Sequence, residues 1–416
     1  MKRAWYGLKS SGAAWRTHLA NILCDELCFK SCLADNDVWM RKGEGHTGDD
    51  VYEYILVYTD DILIISVHGK EIMSQLDQHC MVKKDSIGFP DTYLGAQIST
   101  YQLADGTHHY SLSSDKYVQE ALSNVKDYLE SRNRQLKKKT PGVLPTGYRP
   151  ELDTSQYLND EDANYYQQQI GVLRWAVEIG RIDITCAVSM MAAFNAAPRA
   201  GHLEAVFHIF AYLQSHARSK TVMDCHQWGI DVGLFCEEDW SDFYPDAVDE
   251  FPPNMPEPQG KYVQVVTFVD ADNAGCLLTR RSRTGVLIYV NKAPVLWYSK
   301  RQNSVETSTF GSEFMALKTA VELSEGILYK LRMMGIGVEM PMHMRCDNKS
   351  VVYNTSNPAA TLKKKSNSVA YHFVREKAAA EIIDVEHECT DTNLADILTK
   401  ILIGEKRDKM TKMILY

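Results

Sequence analysis

Apolar positions 15, 19, 22, 23 and 27 (Trp15, Leu19, Ile22, Leu23, Leu27) recur at three- and four-residue intervals, the spacing of one helix face. This predicts a helix within residues 12–32 that leads into the first strand. Tyr54–Ser66 then switches to runs of Ile, Leu, Val and Tyr, interrupted at Thr59, Asp60 and Asp61. Two buried strands account for it, with Tyr58-Thr59-Asp60-Asp61 as the turn between them. A helix near 70–80 and the segment Asp91–Ile98 complete an α+β unit. His109–Ser114 predicts another strand, and Ser114 or Asp115 caps a helix that runs to about 130.

Residues 131–150 combine Lys137, Lys138 and Lys139 with Pro141, Gly142, Pro145, Gly147 and Pro150, a loop composition. Helical spacing returns from Asp160 to Leu213, through Tyr165, Ile170, Leu173 and Trp175, then Leu203, Val206 and Ile209. Two or three packed helices fit this stretch. Residues 237–260 change character: acids are dense and prolines stand at 252, 253, 256 and 258, which marks a linker. Beyond it the pattern predicts strands at 262–270, 284–291 and 294–299 and a helix over about 310–334. A strand near 341–346 and a short helix follow. The order β-β-β-α-β-α belongs to a sheet with mixed strand directions.

Composition sets the class. The chain has 416 residues, 45% hydrophobic and 24% charged, enough for two to three domains with real cores. No apolar run is long enough to span a bilayer, and Met1–Trp5 leads into no signal-peptide core. The ten cysteines include no CxxC pair. Cys24, Cys28 and Cys32 stand at i, i+4 and i+8 with no fourth ligand, so buried free thiols in a reducing compartment are the simpler expectation. A net charge of −9 argues against a protein that coats nucleic acid by bulk charge. Local basic patches remain, at Arg280-Arg281-Ser282-Arg283, Lys300-Arg301 and Lys363-Lys364-Lys365.

Candidate chemistry lies in the acids. Asp60 and Asp61 sit at a hairpin tip beside apolar surface, a costly placement unless a cation neutralises them. A divalent metal with substrate phosphate does so. Past the linker, Asp270 and Asp347 end apolar strands, Glu313 lies in the first turns of the long helix, and Asp396 sits in Asn393–Lys400. Four converging carboxylates repel one another unless two divalent cations lie between them, and such a pair clamps a scissile phosphate.

These residues resemble a family. Tyr6-Gly7-Leu8-Lys9 with Ala14-Trp15, then Tyr58–Asp61, Tyr93-Leu94-Gly95, Ile170-Gly171 and Ser299–Gln302 follow the order seen in polyproteins of copia-type LTR retrotransposons. So do Glu313–Leu317, Cys346-Asp347-Asn348, Tyr371-His372 and Ala395–Lys400. The resemblance spans nearly the whole chain. It implies a multidomain α+β and α/β chain: a partial reverse transcriptase palm over 1–130, a mostly helical thumb and connection over 131–236, the acidic linker over 237–260, and a ribonuclease H-like mixed sheet flanked by helices over 261–416.

By position, Asp60 and Asp61 would be the polymerase metal pair. Asp270, Glu313, Asp347 and Asp396 would be the ribonuclease H tetrad, which holds two Mg²⁺ ions (or Mn²⁺). His387 would serve proton transfer or product release, and Asp272 is a second acid beside Asp270. Arg280, Arg281, Arg283, Lys300, Arg301, Lys363, Lys364 and Lys365 would grip nucleic acid. The family's third polymerase aspartate precedes Tyr6–Lys9, and the chain starts only a few residues before that motif. Fingers and first palm strand are therefore expected to be missing and polymerase activity lost, unless another chain supplies the strand. No protease or integrase signature, and no HHCC zinc module, is seen.

The resemblance thus implies a fragment that cleaves RNA within RNA/DNA hybrids, leaving a 3′ hydroxyl and a 5′ phosphate. Its partners would be the hybrid, a primer-template and other retroelement proteins, with no membrane. Its place would be the cytoplasm, in a virus-like particle if the element is active, or the nucleus. The alternative is an inactive relic, or a fragment adopted as a nucleic-acid-binding or structural module.

Overall fold

The computed structural model describes residues 10–416 except 81, 83, 84, 86, 231–237 and 363–366. Tyr6–Lys9 and Lys363–Lys365 therefore lie outside the described residues. The chain divides into two units, one of residues 1–93, 250–263 and 325–339, the other of 94–249, 264–324 and 340–416.

In the first unit the helix Ser11–Asn21 is followed by a wider turn at Ile22–Glu26 and an antiparallel meander of Lys30–Cys32, Asp35–Glu44, Asp50–Tyr58 and Asp61–Ile65. Leu19, Leu23, Phe29, Ile55, Ile72 and Leu76 form its core. Ile55 and Val57 alternate with partly exposed neighbours because successive strand side chains face opposite ways. Buried Glu53 is balanced by Arg41, 2.7 Å from it. The expected helix does not reach Cys32. The chain turns left-handed at Cys28 (φ 58°) and Cys32 lies in a strand, its thiol donating to the Met333 carbonyl. Cys24, Cys28 and Cys32 therefore share no helix face, which removes the spacing that suggested a ligand set.

The strand Asp35–Glu44 went unpredicted, because Asp35, Asn36, Asp37, Arg41, Lys42 and Glu44 leave it few apolar residues. The predicted hairpin is present, but its second strand, Asp61–Ile65, is a sheet edge with no buried residue. Tyr58 pairs with Asp61, and Thr59 occupies the left-handed region (φ 57°) while its carbonyl accepts from Trp15 Nε1 at 2.8 Å.

The second unit holds two parts. The helices Asp115–Glu130, Asp160–Glu178, Thr185–Ala192 and Ala200–Ser215 pack through Val125, Ile170, Leu173, Val206 and Phe210. Beside them the strands Ala96–Gln102, His108–Ser113 and Lys220–Val222 pair antiparallel in that order. Between two of the helices, Arg181 and Asp183 are almost wholly buried and paired at 2.7 Å, and the Tyr212 hydroxyl donates to Asp183 at 2.9 Å.

A five-stranded sheet forms the other part, in the order Ala293–Arg301, Arg283–Val290, Val265–Asp272, Met342–Cys346, Ile383–His387. The first three strands are antiparallel; the last two run parallel to Val265–Asp272. All predicted strands here are present, as is the long helix, at Thr309–Met333. Val265–Asp272 is buried on both faces, as a central strand must be. This is the mixed α/β architecture that the pattern predicted.

Gly285 lies opposite Asp270 in the sheet. A Cβ there would stand 2.7 Å from Thr399 Cγ2 and 2.9 Å from both the Ala395 carbonyl and Leu398 Cβ. The absent side chain lets the segment Ala395–Thr399 settle onto the strand. Gly285→Ala should therefore cost about 1–3 kcal/mol by overpacking, read as a lower urea midpoint with an unchanged m-value.

Candidate active site

The ends of two parallel strands and the start of one helix build a cleft of about 540 Å³. Asp270 and Asp272 come from the central strand, Asp347 and Asn348 follow Met342–Cys346, and Glu313 lies one turn into Thr309–Met333. Strand ends expose such positions because the adjoining loops leave room above the sheet. The Asn348 side chain accepts from the backbone N–H groups of Ser350 and Val351, which caps the helix Lys349–Ser356 and fixes the turn after Asp347.

Asp396 joins this group from the late segment. Asn393 is fully buried and donates its Nδ2 hydrogen to the Val269 carbonyl at 2.9 Å, anchoring the segment beside Asp270. The Thr399 hydroxyl donates to Asp270 Oδ2. Lys400 lies 3.2 Å from Asp270 Oδ2 and 2.6 Å from Asp396 Oδ1, so one ammonium serves both carboxylates. Lys406 holds the other oxygen of Asp396 at 2.6 Å. Asp270, Glu313 and Asp347 line the cleft; Asp396 meets them through Lys400 and is not among the lining residues.

The electrostatics follow from burial. Burial pushes the Asp270 carboxyl up to about 6, with Lys400 opposing and Asp396 adding. Glu313 is pushed up to about 9 by burial, then by the charges of Asp270 and Asp347. Burial works against the Lys400 ammonium, yet Asp270 and Asp396 outweigh it and hold its pKa above the ordinary value. Asp272 is raised by burial, and its carboxylate accepts from the Arg283 backbone N–H. Cys346, buried beside Glu313, is also pushed up and stays a thiol.

Glu313 Oε2 is buried and has no hydrogen-bond partner among the described residues. Ligand atoms of Glu313, Cys346 and Asp347 lie within 4.8 Å of one another. An orphaned carboxylate oxygen among acids suits a hard divalent cation, which takes oxygen ligands readily. The residues fit that group.

Without such a cation Glu313 weakens the fold as pH rises. Its folded pKa exceeds the unfolded value, so between about 4.5 and about 9 the unfolded state has released a proton that the folded state keeps. Stability falls across that window; below it the group contributes nothing. In EDTA, Glu313→Gln should thus melt higher than the wild type, with a gap that is small at pH 5 and larger at pH 8. Equal melting temperatures at both pH values would refute this.

The other predicted residues are dispersed. His387 is exposed at the end of its strand, opposite Cys346, the residue before Asp347. Arg280 and Lys300 are exposed, and Arg281 is half-buried. Arg301 reaches the Cys276 thiol, and Arg283 donates to Ser189 and Ser299. Asp60 and Asp61 are exposed at their turn in the first unit. Among the described residues they join no cluster of three potential metal ligands. Thr399, Lys400 and Lys406 were not predicted as functional, although Lys400 stands one helical turn after Asp396, the spacing of an i,i+4 ion pair.

No protein-family model matches the chain. The retrovirus-related Pol polyprotein from transposon RE1 of Arabidopsis thaliana is 25% identical over 406 residues, 97% of this chain and 24% of that polyprotein. A foamy viral protease-reverse transcriptase solved in complex with an RNA/DNA hybrid aligns with 94% of this chain and 39% of its own, at 11% identity and a TM-score of 0.44. LC11-RNase H1, solved in complex with an RNA/DNA hybrid, aligns with 33% of this chain and 94% of its own, at 19% identity and a TM-score of 0.27. The chain spans about a quarter of the length of the Pol polyproteins that it matches from end to end. Over nearly all its residues, it is a relative of one segment of the retrovirus-related Pol polyproteins of copia-type transposons from Arabidopsis thaliana and Nicotiana tabacum.

Proposed function

We propose that the chain hydrolyses the RNA strand of RNA/DNA hybrids at the cleft formed by Asp270, Glu313 and Asp347. One observation carries the reading: a buried Glu313 oxygen with no partner among the described residues, facing two further carboxylates at the ends of parallel strands. Divalent cations, Mg²⁺ or Mn²⁺, held by these three acids and Asp396, would supply Lewis-acid activation of the phosphodiester and of the attacking water. Glu313 holds a proton at neutral pH and must release it to become a ligand, so cation affinity rises with pH. Thr399 orients Asp270, and Lys400 and Lys406 offset the charge of Asp396. His387 is the candidate for proton transfer at the strand end beside Asp347. Arg280, Arg281, Lys300 and Arg301 supply cationic contacts to the backbone, and preference for RNA comes from 2′-hydroxyl contacts. Asp60 and Asp61 lack a third acid in reach among the described residues, so nucleotidyl transfer is not part of the proposal.

A labelled RNA/DNA hybrid incubated with the chain and Mg²⁺ tests this. The RNA strand should be cut by the wild type and left whole by a folded Asp347→Asn variant. Equal cutting by both, or none by either, would overturn the proposal and favour a non-catalytic binding module.

A further inference from the structure

We propose that His109, Asp224 and His226 form a binding site for a borderline divalent metal, zinc foremost, that ties two neighbouring chain segments together. The three residues offer ligand atoms within 4.8 Å of one another. His109 lies in the strand His108–Ser113; Asp224 and His226 follow the strand Lys220–Val222, which pairs with it over three residues. Side chains of His109 and Asp224 are 8% and 9% exposed, whereas His226 is open to solvent at 41%, giving an ion a path of entry.

Asp224 Oδ1 stands 2.7 Å from His226 Nδ1 and 4.0 Å from His109 Nε2. A tetrahedral ion with bonds of about 2.0–2.1 Å keeps its ligands about 3.3 Å apart. Small opposite movements of the two rings meet that spacing. The ring centroids are 5.0 Å apart and tilted by 60°, so the rings converge without stacking.

The surroundings suit the same assignment. His226 Nε2 lies 3.5 Å from Asp105 Oδ2, which places a carboxylate behind the ring whose Nδ1 faces the centre. An outer carboxylate of this kind fixes the tautomer of a metal-bound imidazole. Asp105 is itself held by the Thr107 hydroxyl at 2.6 Å. His109 Nδ1 accepts from the Cys225 N–H at 3.3 Å and Nε2 meets the Thr107 hydroxyl at 2.9 Å, and ligation by Nε2 would exchange both contacts for the metal.

Cys225 lies between two of the ligands, but its thiol donates to the Met223 carbonyl at 3.6 Å. A thiol directed elsewhere leaves the fourth position to water. Two imidazoles with one carboxylate select zinc over magnesium or calcium, which prefer all-oxygen shells. His109 sits just past the hairpin turn and Asp224 and His226 on the neighbouring segment, so the metal would brace a short pairing of three ladder residues and the Met223 N–H bond to the Tyr110 carbonyl.

The test uses the full chain and Zn²⁺ titrated against a chromophoric chelator, with Co²⁺ as a spectroscopic substitute. One metal per chain should bind, and Co²⁺ should show the intense visible bands of a four-coordinate site. His226→Ala and Asp224→Asn should each weaken binding more than about 100-fold, while Asp347→Asn in the cleft leaves it unchanged. Circular dichroism establishes that the variants fold; should His226→Ala not fold, His226→Gln replaces it. Undiminished affinity in the folded His226 and Asp224 variants overturns the proposal, as does wild-type protein that takes up no zinc at low micromolar concentration.

Discussion

Replacing Asp270 with Asn should lower cleavage of an RNA/DNA hybrid by at least about 1,000-fold and at the same time raise the melting temperature in EDTA. The first effect follows from position. Asp270 lies near the end of the central strand Val265–Asp272, is 1% exposed, accepts from Thr399, pairs with Lys400 and feels the charges of Asp396 and Asp347. Asn keeps the shape and accepts the Thr399 hydrogen bond, but its neutral amide is a poor ligand for a hard cation. The second effect follows from charge. Burial raises the Asp270 pKa to about 6, so above that pH the folded state carries a carboxylate it disfavours. Removing it relieves repulsion against Asp396 and Asp347, at the expense of the Lys400 ion pair. Activity by gel assay and melting by circular dichroism should move in opposite directions. A variant that loses both activity and stability would mean that Asp270 acts in the fold alone.

Arg181→Met should destabilise the second unit by about 3–5 kcal/mol, the usual consequence of leaving one member of a buried ion pair alone. Both side chains are at most 2% exposed, and the guanidinium donates to both Asp183 oxygens, at 2.9 and 2.7 Å. Burial pushes the Asp183 pKa up, yet the Arg181 charge and its hydrogen bonds outweigh this and hold it below the ordinary value. Its contribution is therefore present above the unfolded carboxylate pKa and lost as pH falls through the folded one. The double variant Arg181→Met, Asp183→Leu should recover much of the loss, because no charge then remains buried. Urea unfolding of the two variants decides the matter: equal midpoints would show that the pair contributes little.

Sequence patterning located the catalytic candidates because each acid follows or opens a strongly patterned element. Asp270 ends Val263–Val269, Asp347 follows Met344–Cys346, and Glu313 opens a helix whose Phe314, Leu317 and Val321 line one buried face. What escaped depends on contacts between distant segments. Nothing local distinguishes Gly285 from any strand glycine; its role is set by Ala395–Thr399 lying against it. His109 and His226 come together only because a three-residue strand aligns their segments, too short a run for periodicity to reveal. Asp35–Glu44 hid because its charges face solvent at a sheet surface. The Cys24–Cys32 spacing misled because it assumed a helix that the left-handed Cys28 breaks.

The hydrogen bond from Thr399 to Asp270 joins residues 129 positions apart. On a ribosome adding about 5–20 residues per second, Asp270 waits about 6 to 26 seconds for that partner to be made. Throughout the interval the central strand carries a buried acid without the lysine that balances it. A nascent chain stalled before residue 393 would thus hold most of its sheet and none of the closing segment, and the proposed cleavage would begin only once that segment had been made.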